Sequence, residues 1–252
     1  MNKTVYHQHL GKLDFLDSWK YQEWLLKKIT DIKVLNREQE HKQETPNFIL
    51  TVEHPHVYTL GKSGKKQHLL VSETFLQSIN ATFYEINRGG DITYHGPGQL
   101  VVYPILDLEN FFTDIHKYIR YLEEVIIQML SEYNIKGERS SGETGVWLDT
   151  DKIQMSRKTC AIGVKSSRWA TMHGLALNIN TDLKYFDYII PCGIQNKKVT
   201  SMHVELNHHI DEESVRIKTL YSFEKVFNCT LSAMPMQYSY KKFCEELLPP
   251  VL

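Results

Sequence analysis

Residues 142–180 read GETGVWLDTDKIQMSRKTCAIGVKSSRWATMHGLALNIN, and this stretch decides the fold class. It contains three short runs rich in apolar and β-branched residues, GVWLDT, TCAIGVK and LALNIN, which are separated by polar turns. Runs of this kind predict strands that are joined by hairpins. The stretch therefore predicts a hairpin-rich sheet.

The segments that precede this stretch predict further strands and a long helix. Residues 114–133 carry apolar side chains at helical spacing, and Thr113 precedes them as a possible N-cap. QLVVYPILDL, residues 99–108, predicts a buried strand. FILTVEHPHVYTLG, residues 48–61, predicts a strand that Pro55 interrupts and that turns into another.

Two more helices are predicted, over residues 14–29 and from residue 211 to about residue 227, with a polar surface loop over residues 36–47. Helices and strands in this order lack the regular βαβ alternation of a doubly wound fold. The pattern predicts an α+β fold. No internal repeat or linker divides the chain, so residues 1–252 are predicted to form a single domain.

The composition excludes several classes of protein. The formal net charge is −1 and the pI is near 6.9, which does not indicate a partner such as nucleic acid or a membrane surface. The chain shows no apolar run of signal-peptide type and no run of about 18 apolar residues that would cross a bilayer. Its cysteines lack the C-x-x-C spacing of metal or redox motifs, which favours no metal site and a reducing compartment, the cytoplasm. They are Cys160, Cys192, Cys229 and Cys244.

A glycine-rich segment, RGGDITYHGPGQ at residues 88–99, is a candidate for chemistry. Gly89 and Gly90 permit positive φ and a close approach of the backbone, so that N–H groups could face a ligand carbonyl or an oxyanion. The alternative is a tight structural connection between two strands. The residues themselves leave both interpretations open.

A second segment is similar to the end of a nucleotide-binding P-loop but lacks an essential residue. Gly61, Lys62 and Ser63 match the end of the motif, whereas the glycine required five positions earlier is replaced by His56. Without this signal for ATP, the substrate is expected to arrive already activated, for instance as a thioester.

Cys192 lies in the sequence IPCG, between a proline of fixed φ and a permissive glycine, which suits a thiol displayed on a turn. A thiol with a pKa of about 8.5 is mostly protonated at neutral pH, so a nucleophilic cysteine needs a nearby cation or base. The candidates are Lys158, His95 and His173, and their spacing does not choose among them. Strand alternation places Cys160 on the same face as Lys158.

Several motifs in order complete the pattern: RGGDITYHGPGQ, GVW, KTCAIG, HGLALN and PCGI followed by VTS. In this combination the chain closely resembles the lipoyl(octanoyl) transferase family. The resemblance implies a fold related to the biotin and lipoate protein ligases, in which helices pack around a mixed, largely antiparallel sheet and a smaller second sheet lies beside it. It also implies transfer of an octanoyl or lipoyl group from an acyl carrier protein thioester, without a cofactor. The implied acceptors are lysines of lipoyl domains, in 2-oxoacid dehydrogenase complexes and in the H protein of the glycine cleavage system.

The resemblance also assigns roles to residues. Cys192 matches the family's acyl-accepting nucleophile, and Lys158 matches the lysine that lowers the thiol pKa and handles protons. The substrate-contacting stretches of the family map onto Arg88, Gly89, Gly90, Asp91, Ile92, Thr93, Tyr94, His95, Ala161, Ile162, Gly163, Gly174, Leu175 and Ala176. In the expected reaction, backbone N–H groups near Gly89, Gly90 or Gly163 could stabilise the oxyanion.

Two rival functions and one docking hypothesis remain. The first rival is an ATP-dependent lipoate or biotin protein ligase, which needs no catalytic cysteine. The second is a non-catalytic module that binds lipoyl domains. A local basic run, Lys62, Lys65 and Lys66, is a candidate for steering acidic carrier domains to the protein.

Overall fold

The computed structural model describes residues 1–152, 154–190 and 198–247. The strands in these ranges are β1 (Thr4–Lys12), β2 (Asn47–Glu53), β3 (Val57–Leu60), β4 (Thr82–Glu85), β5 (Ile92–His95), β6 (Gln99–Ile105), β7 (Val146–Leu148), β8 (Arg157–Ser167), β9 (Ala170–Asn178), β10 (Lys198–Val199) and β11 (Thr230–Ala233). The α-helices are α1 (Phe15–Leu35), α2 (Glu73–Ser78), α3 (Ile115–Ser131), α4 (Met202–Leu206), α5 (Glu212–Phe227) and α6 (Tyr240–Leu247).

These strands form two sheets. The larger one has the order β10-β8-β9-β6-β2-β1-β11, with β7 paired to β8, and the smaller one has the order β4-β3-β5. Pairing is antiparallel through the centre, β7/β8/β9/β6/β2, and parallel at β10/β8, β2/β1, β1/β11 and β3/β4. The predicted α+β class, with a mixed main sheet and a smaller second sheet, is confirmed.

The main sheet is covered by helices on both faces, as strand β6 illustrates. Leu100 and Val102 pack in a cluster that includes residues of α3 and α5. Val101, Tyr103 and Ile105 point the other way and pack in a cluster that includes residues of α1 and α6. Because side chains alternate along a strand, burial at every position of β6 requires a layer on each face. The core therefore consists of two apolar layers with the sheet between them.

Pro55 marks the point at which the chain leaves one sheet for the other. Strand β2 ends at Glu53 in the main sheet, and β3 begins at Val57 in the smaller sheet. Proline cannot donate a ladder hydrogen bond, so it suits the break between strands. The prediction of one strand turning into another is confirmed, although the sequence did not reveal that the two strands belong to different sheets.

The helix predicted over residues 114–133 is α3, but its predicted cap was wrong by one residue. Asp114 is the N-cap, and its carboxylate accepts hydrogen bonds from the N–H groups of His116 at 2.9 Å and Lys117 at 3.0 Å. A carboxylate at this position also interacts favourably with the helix dipole, an advantage that Thr113 lacks.

The described residues contain neither a membrane-spanning helix nor a cluster of metal-ligating side chains. None of their helices combines the length and the hydropathy needed to cross a bilayer. Nor do they bring together three or more His, Cys, Asp or Glu side chains in an arrangement that would hold a metal ion.

Candidate active site

A cavity of about 490 Å³ lies between the two sheets. One wall consists of residues 88–93 and His95, which lead into and form strand β5. The opposite wall consists of residues 161–164 of β8 and 173–176 of β9. Lys158 and Trp147 also line the cavity. The volume is within the range of about 300–1,000 Å³ that is usual for small-molecule sites.

Most of the predicted site residues lie around this one cavity. They are Arg88, Gly89, Gly90, Asp91, Ile92, Thr93, His95, Lys158, Ala161, Ile162, Gly163, Gly174, Leu175 and Ala176.

Tyr94 and Cys192 are the two remaining predicted site residues. Tyr94 does not line the cavity, because the tyrosine ring packs in the core of the smaller sheet and the hydroxyl hydrogen-bonds to His56 Nδ1 at 2.7 Å. Cys192 lies outside the described residues.

Arg88 holds the backbone of the glycine-rich wall in place through hydrogen bonds from its side chain. Its guanidinium donates hydrogen bonds to the carbonyl oxygens of Gly89 at 2.7 Å, Asp91 at 2.9 Å and Thr59 at 3.2 Å. A planar, permanently charged donor can satisfy several carbonyls at once, which a flexible lysine does less well. Arg88 therefore fixes the path of the backbone that borders the cavity.

The same wall is joined to the main sheet by the backbone. The N–H of Gly89 donates to the carbonyl oxygen of Val164 at 3.0 Å. Because this N–H is already used, Gly89 itself is not available as an oxyanion donor, and the N–H groups near Gly90 and Gly163 stay predicted donors. The close approach also explains why residue 163 is glycine: a Cβ there would lie 2.7 Å from Arg88 Cδ and 2.9 Å from the carbonyl oxygen of Gly89.

Lys158 is held against an aromatic ring and a glycine. Its Nζ lies 4.5 Å from the ring centroid of Trp147, which is a cation–π distance. Gly145 has φ +119°, and a Cβ at this position would lie 2.5 Å from the carbonyl oxygen of Cys160 and 3.4 Å from Lys158 Cε. The buried carboxylate of Glu123 accepts a hydrogen bond from the N–H of Gly145 at 3.1 Å. The stem of Lys158 therefore lies on a surface that its neighbours fix in place.

Cys160 does not join the cavity wall, contrary to the expectation from strand alternation. It is fully buried in the cluster between the main sheet and α3, and burial raises the pKa of its thiol. The physical reason is an irregularity: Val146 pairs with Cys160 but Trp147 with Lys158, so the register shifts and simple alternation fails there.

The two histidines that were candidate activators are neutral. Burial lowers the pKa of His95 to about 3, with His54 as a second contribution. Burial, followed by the charge of Arg88, lowers the pKa of His173 to about 3. A group of such low pKa is neither a cation at neutral pH nor an effective base. Neither histidine is therefore suited to activate a thiol, which leaves Lys158 as the candidate.

Sequence reasoning missed two kinds of lining residue. The GVW motif includes Trp147 but does not indicate a role for its side chain. Apolar side chains from distant elements were missed because only the fold brings them together: Phe15, Ile86, Val101, Tyr103, Phe186 and Val199.

His173 adopts φ 61° within β9, and among the described residues its buried Nε2 has no hydrogen-bond partner. A positive φ at a non-glycine residue is uncommon and marks a functional candidate.

Comparison with known proteins agrees with this geometry. Residues 14–224 match the family described as the lipoyl protein ligase A/B catalytic domain. An octanoyltransferase of Flavobacterium psychrophilum is 61% identical over 232 residues, covering 92% of this chain and 100% of that protein. The chain belongs to the octanoyltransferase family. A second family member, an octanoyltransferase of Christiangramia forsetii, is 59% identical and covers 92% of this chain and 99% of that protein.

Solved structures extend the likeness of this octanoyltransferase family member to the lipoate protein ligases. A bipartite lipoate protein ligase from Thermoplasma acidophilum aligns with a TM-score of 0.69 at 12% identity, covering 98% of this chain and 91% of that one. A lipoate-protein ligase A bound with ATP aligns with a TM-score of 0.70 at 13% identity, covering 98% and 94%. At such identities the likeness is one of fold alone.

Proposed function

We propose that this chain transfers an octanoyl group, or alternatively a lipoyl group, from an acyl carrier protein thioester to a lysine of a lipoyl domain. The acceptors are the lipoyl domains of 2-oxoacid dehydrogenase complexes and the H protein of the glycine cleavage system. One observation carries the proposal: in a member of the octanoyltransferase family, a cavity with many apolar lining residues also has Lys158 in its wall.

The proposed reaction has two steps. The thiolate of Cys192 attacks the thioester carbonyl carbon, a C–S bond to the enzyme forms, and the carrier thiol leaves and takes up a proton. The amine of the acceptor lysine then attacks the acyl-enzyme, an amide bond forms, and the thiol of Cys192 is restored. Lys158 lowers the thiol pKa by its charge and passes protons between the steps. Because a thioester is converted to an amide, the exchange needs no ATP.

The dimensions of the cavity suit an acyl chain. Lys158 and Val164 both line it and are six residues apart along β8, which corresponds to about 20 Å. An extended eight-carbon chain measures about 8 Å, since it has seven bonds and three bonds of a saturated chain advance about 3.5 Å. The wall is therefore long enough to contact the whole octanoyl chain and part of the group that links it to the carrier protein.

Rates are expected to depend on chain length because the acyl group is buried. Each buried methylene contributes about 0.8 kcal/mol, so a hexanoyl donor should lose about 1.6 kcal/mol relative to octanoyl, or roughly fifteenfold in kcat/KM. The measurement is kcat/KM for carrier-bound hexanoyl and octanoyl groups. In Ala161→Leu, which narrows the cavity, the preference should shift toward the shorter donor. Equal values for both donors in the parent protein would contradict an acyl-binding role for this cavity.

The proposed activity is tested by incubating the chain with octanoyl acyl carrier protein and a lipoyl domain, without ATP. The matched control is the same lipoyl domain with its acceptor lysine replaced by arginine. Octanoylation of the first domain alone supports the proposal. Modification only with ATP and free octanoate would favour a ligase, and binding of the domain without modification would favour a non-catalytic module.

Three further parts of the proposal concern the chain as a whole. Both sheets border the same cavity, which supports one catalytic domain over residues 1–252. A donor bound to acyl carrier protein fits a location in the cytoplasm.

Lys62, Lys65 and Lys66 are exposed, and Lys66 forms an ion pair with Glu85 at 2.7 Å. Lys62 and Lys65 are thus better candidates than Lys66 for steering acidic carrier domains.

A further inference from the structure

Two buried amide side chains connect the smaller sheet to the main sheet beside the cavity. Gln99 of β6 and Asn178 of β9 are register partners, and Gln99 Nε2 donates to Asn178 Oδ1 at 2.9 Å. Gln99 Oε1 accepts from Nδ1 of His95, which belongs to β5, at 2.8 Å. Gln99 and Asn178 are 2% and 4% exposed, so neither amide can exchange these bonds for water.

The connection continues from Asn178 to the backbone of Lys158 through a single residue. Asn178 Nδ2 donates to the carbonyl oxygen of Thr200 at 3.0 Å. The N–H of Thr200 donates to the carbonyl oxygen of Lys158 at 2.9 Å. Thr200 is 1% exposed, and its hydroxyl donates to Glu205 Oε1 at 2.6 Å. Every polar group of Thr200 is thus held by a neighbour.

The pairing of strand β10 makes this side-chain bond important. Among the described residues, β10 comprises Lys198 and Val199, which pair with β8 opposite Arg157 and Lys158. Two register positions on an edge strand provide few ladder hydrogen bonds. The position of β10 beside Lys158 therefore also depends on the bonds that anchor Thr200.

We propose that Asn178, supported by Gln99, is a positioning residue for the transfer reaction, a role that rests on the proposed function. It holds Thr200 and thereby β10 against Lys158, so that the lysine and the adjacent cavity wall keep one arrangement. Removing the amide leaves the Thr200 carbonyl without its side-chain donor, and Gln99 Nε2 keeps only its second acceptor, the carbonyl oxygen of Tyr94 at 3.3 Å. Unpaired polar groups in a buried site are costly, which favours a shift of Thr200. The expected consequence is a displaced Lys158 and a slower reaction with little change in donor binding.

The experiment replaces Asn178 by leucine, which has a similar shape and no polar group. The matched control is Asn47→Leu: Asn47 is fully buried, its amide donates to the carbonyls of Asn2 and Thr4, and it does not line the cavity. Both variants should lose thermal stability. Asn178→Leu should also lose at least tenfold in kcat with an almost unchanged KM for octanoyl acyl carrier protein, since a shift of about 1 Å can cost about 100-fold. Asn47→Leu should keep the parent kcat.

The outcomes separate this inference from the proposed function. If the parent protein transfers octanoyl and Asn178→Leu has the same kcat, the positioning role is overturned. An equal loss of kcat in both variants would also overturn it, because the effect would then follow stability alone. If the parent protein transfers no octanoyl group, the proposed function itself is wrong, and the positioning role that rests on it is wrong as well.

Discussion

Replacing Lys158 by methionine is expected to reduce octanoyl transfer about 1,000-fold, within the range that a single proton-handling group contributes. Methionine keeps most of the length of the side chain and its packing against Trp147 and Gly145, but it removes the charge. Without a neighbouring cation, the thiol of Cys192 should titrate near its ordinary pKa of about 8.5, with only a few per cent thiolate at pH 7. The loss should appear in kcat.

The pH dependence provides a second measurement on the same variant. Its residual acylation rate should rise as the pH rises through about 8.5, because the reactive thiolate then accumulates. Lys165→Met is the matched control: Lys165 lies on the same strand, β8, and does not line the cavity. Lys158→Met with the parent rate at pH 7, or with a loss no larger than that of Lys165→Met, would exclude Lys158 as the activating group.

Replacing Arg88 by methionine is expected to weaken both folding and donor binding. The change removes the donor that satisfies the carbonyls of Gly89, Asp91 and Thr59 in a buried site. Leaving such groups unpaired should cost about 3 kcal/mol of folding free energy, which for a chain of this size lowers Tm by roughly 8 °C. Because the loosened segment forms a cavity wall, KM for the donor should increase more than kcat decreases.

The control for Arg88 is an arginine in an ion pair away from the cavity. Arg216 pairs with Glu213 one turn away on α5, and the side chain of Arg216 is 14% exposed while that of Glu213 is 57% exposed. Because water partly screens a pair with one exposed partner, Arg216→Met should lower Tm less than Arg88→Met and leave KM at the parent value. Thermal unfolding and steady-state kinetics on both variants check the difference. A parental KM in Arg88→Met would mean that the glycine-rich wall does not bind the donor.

The parts of the fold that follow from local pattern were predictable from the sequence. Helix α3 has apolar residues at helical spacing, and the runs over residues 159–165 and 175–180 became parts of β8 and β9. Strand β1 was missed because its sequence, TVYHQHLGK, lacks a clear alternation, and its partners β2 and β11 are distant in the chain. Parallel pairing between remote segments has no local signal.

The site was predictable where backbone geometry demanded particular residues, and less so elsewhere. Gly163 and the loop of Arg88 and Gly89 are needed because two backbones approach closely, and the resemblance to a family identified them as a motif. The position of Cys160 was misjudged because a register shift between β7 and β8 cannot be inferred from alternation. The bond from Asn178 to Thr200 joins segments whose contact depends on the assembled sheet.

The most direct test of the account is the intact mass of the protein after mixing with octanoyl acyl carrier protein, in the absence of ATP and of any acceptor. The parent protein should gain the mass of one octanoyl group, and the same preparation of Cys192→Ser should gain none under those conditions. A gain that persists in Cys192→Ser would place the acyl group on another residue. No gain on the parent without ATP, together with one when ATP and free octanoate are supplied, would contradict the thioester-exchange mechanism.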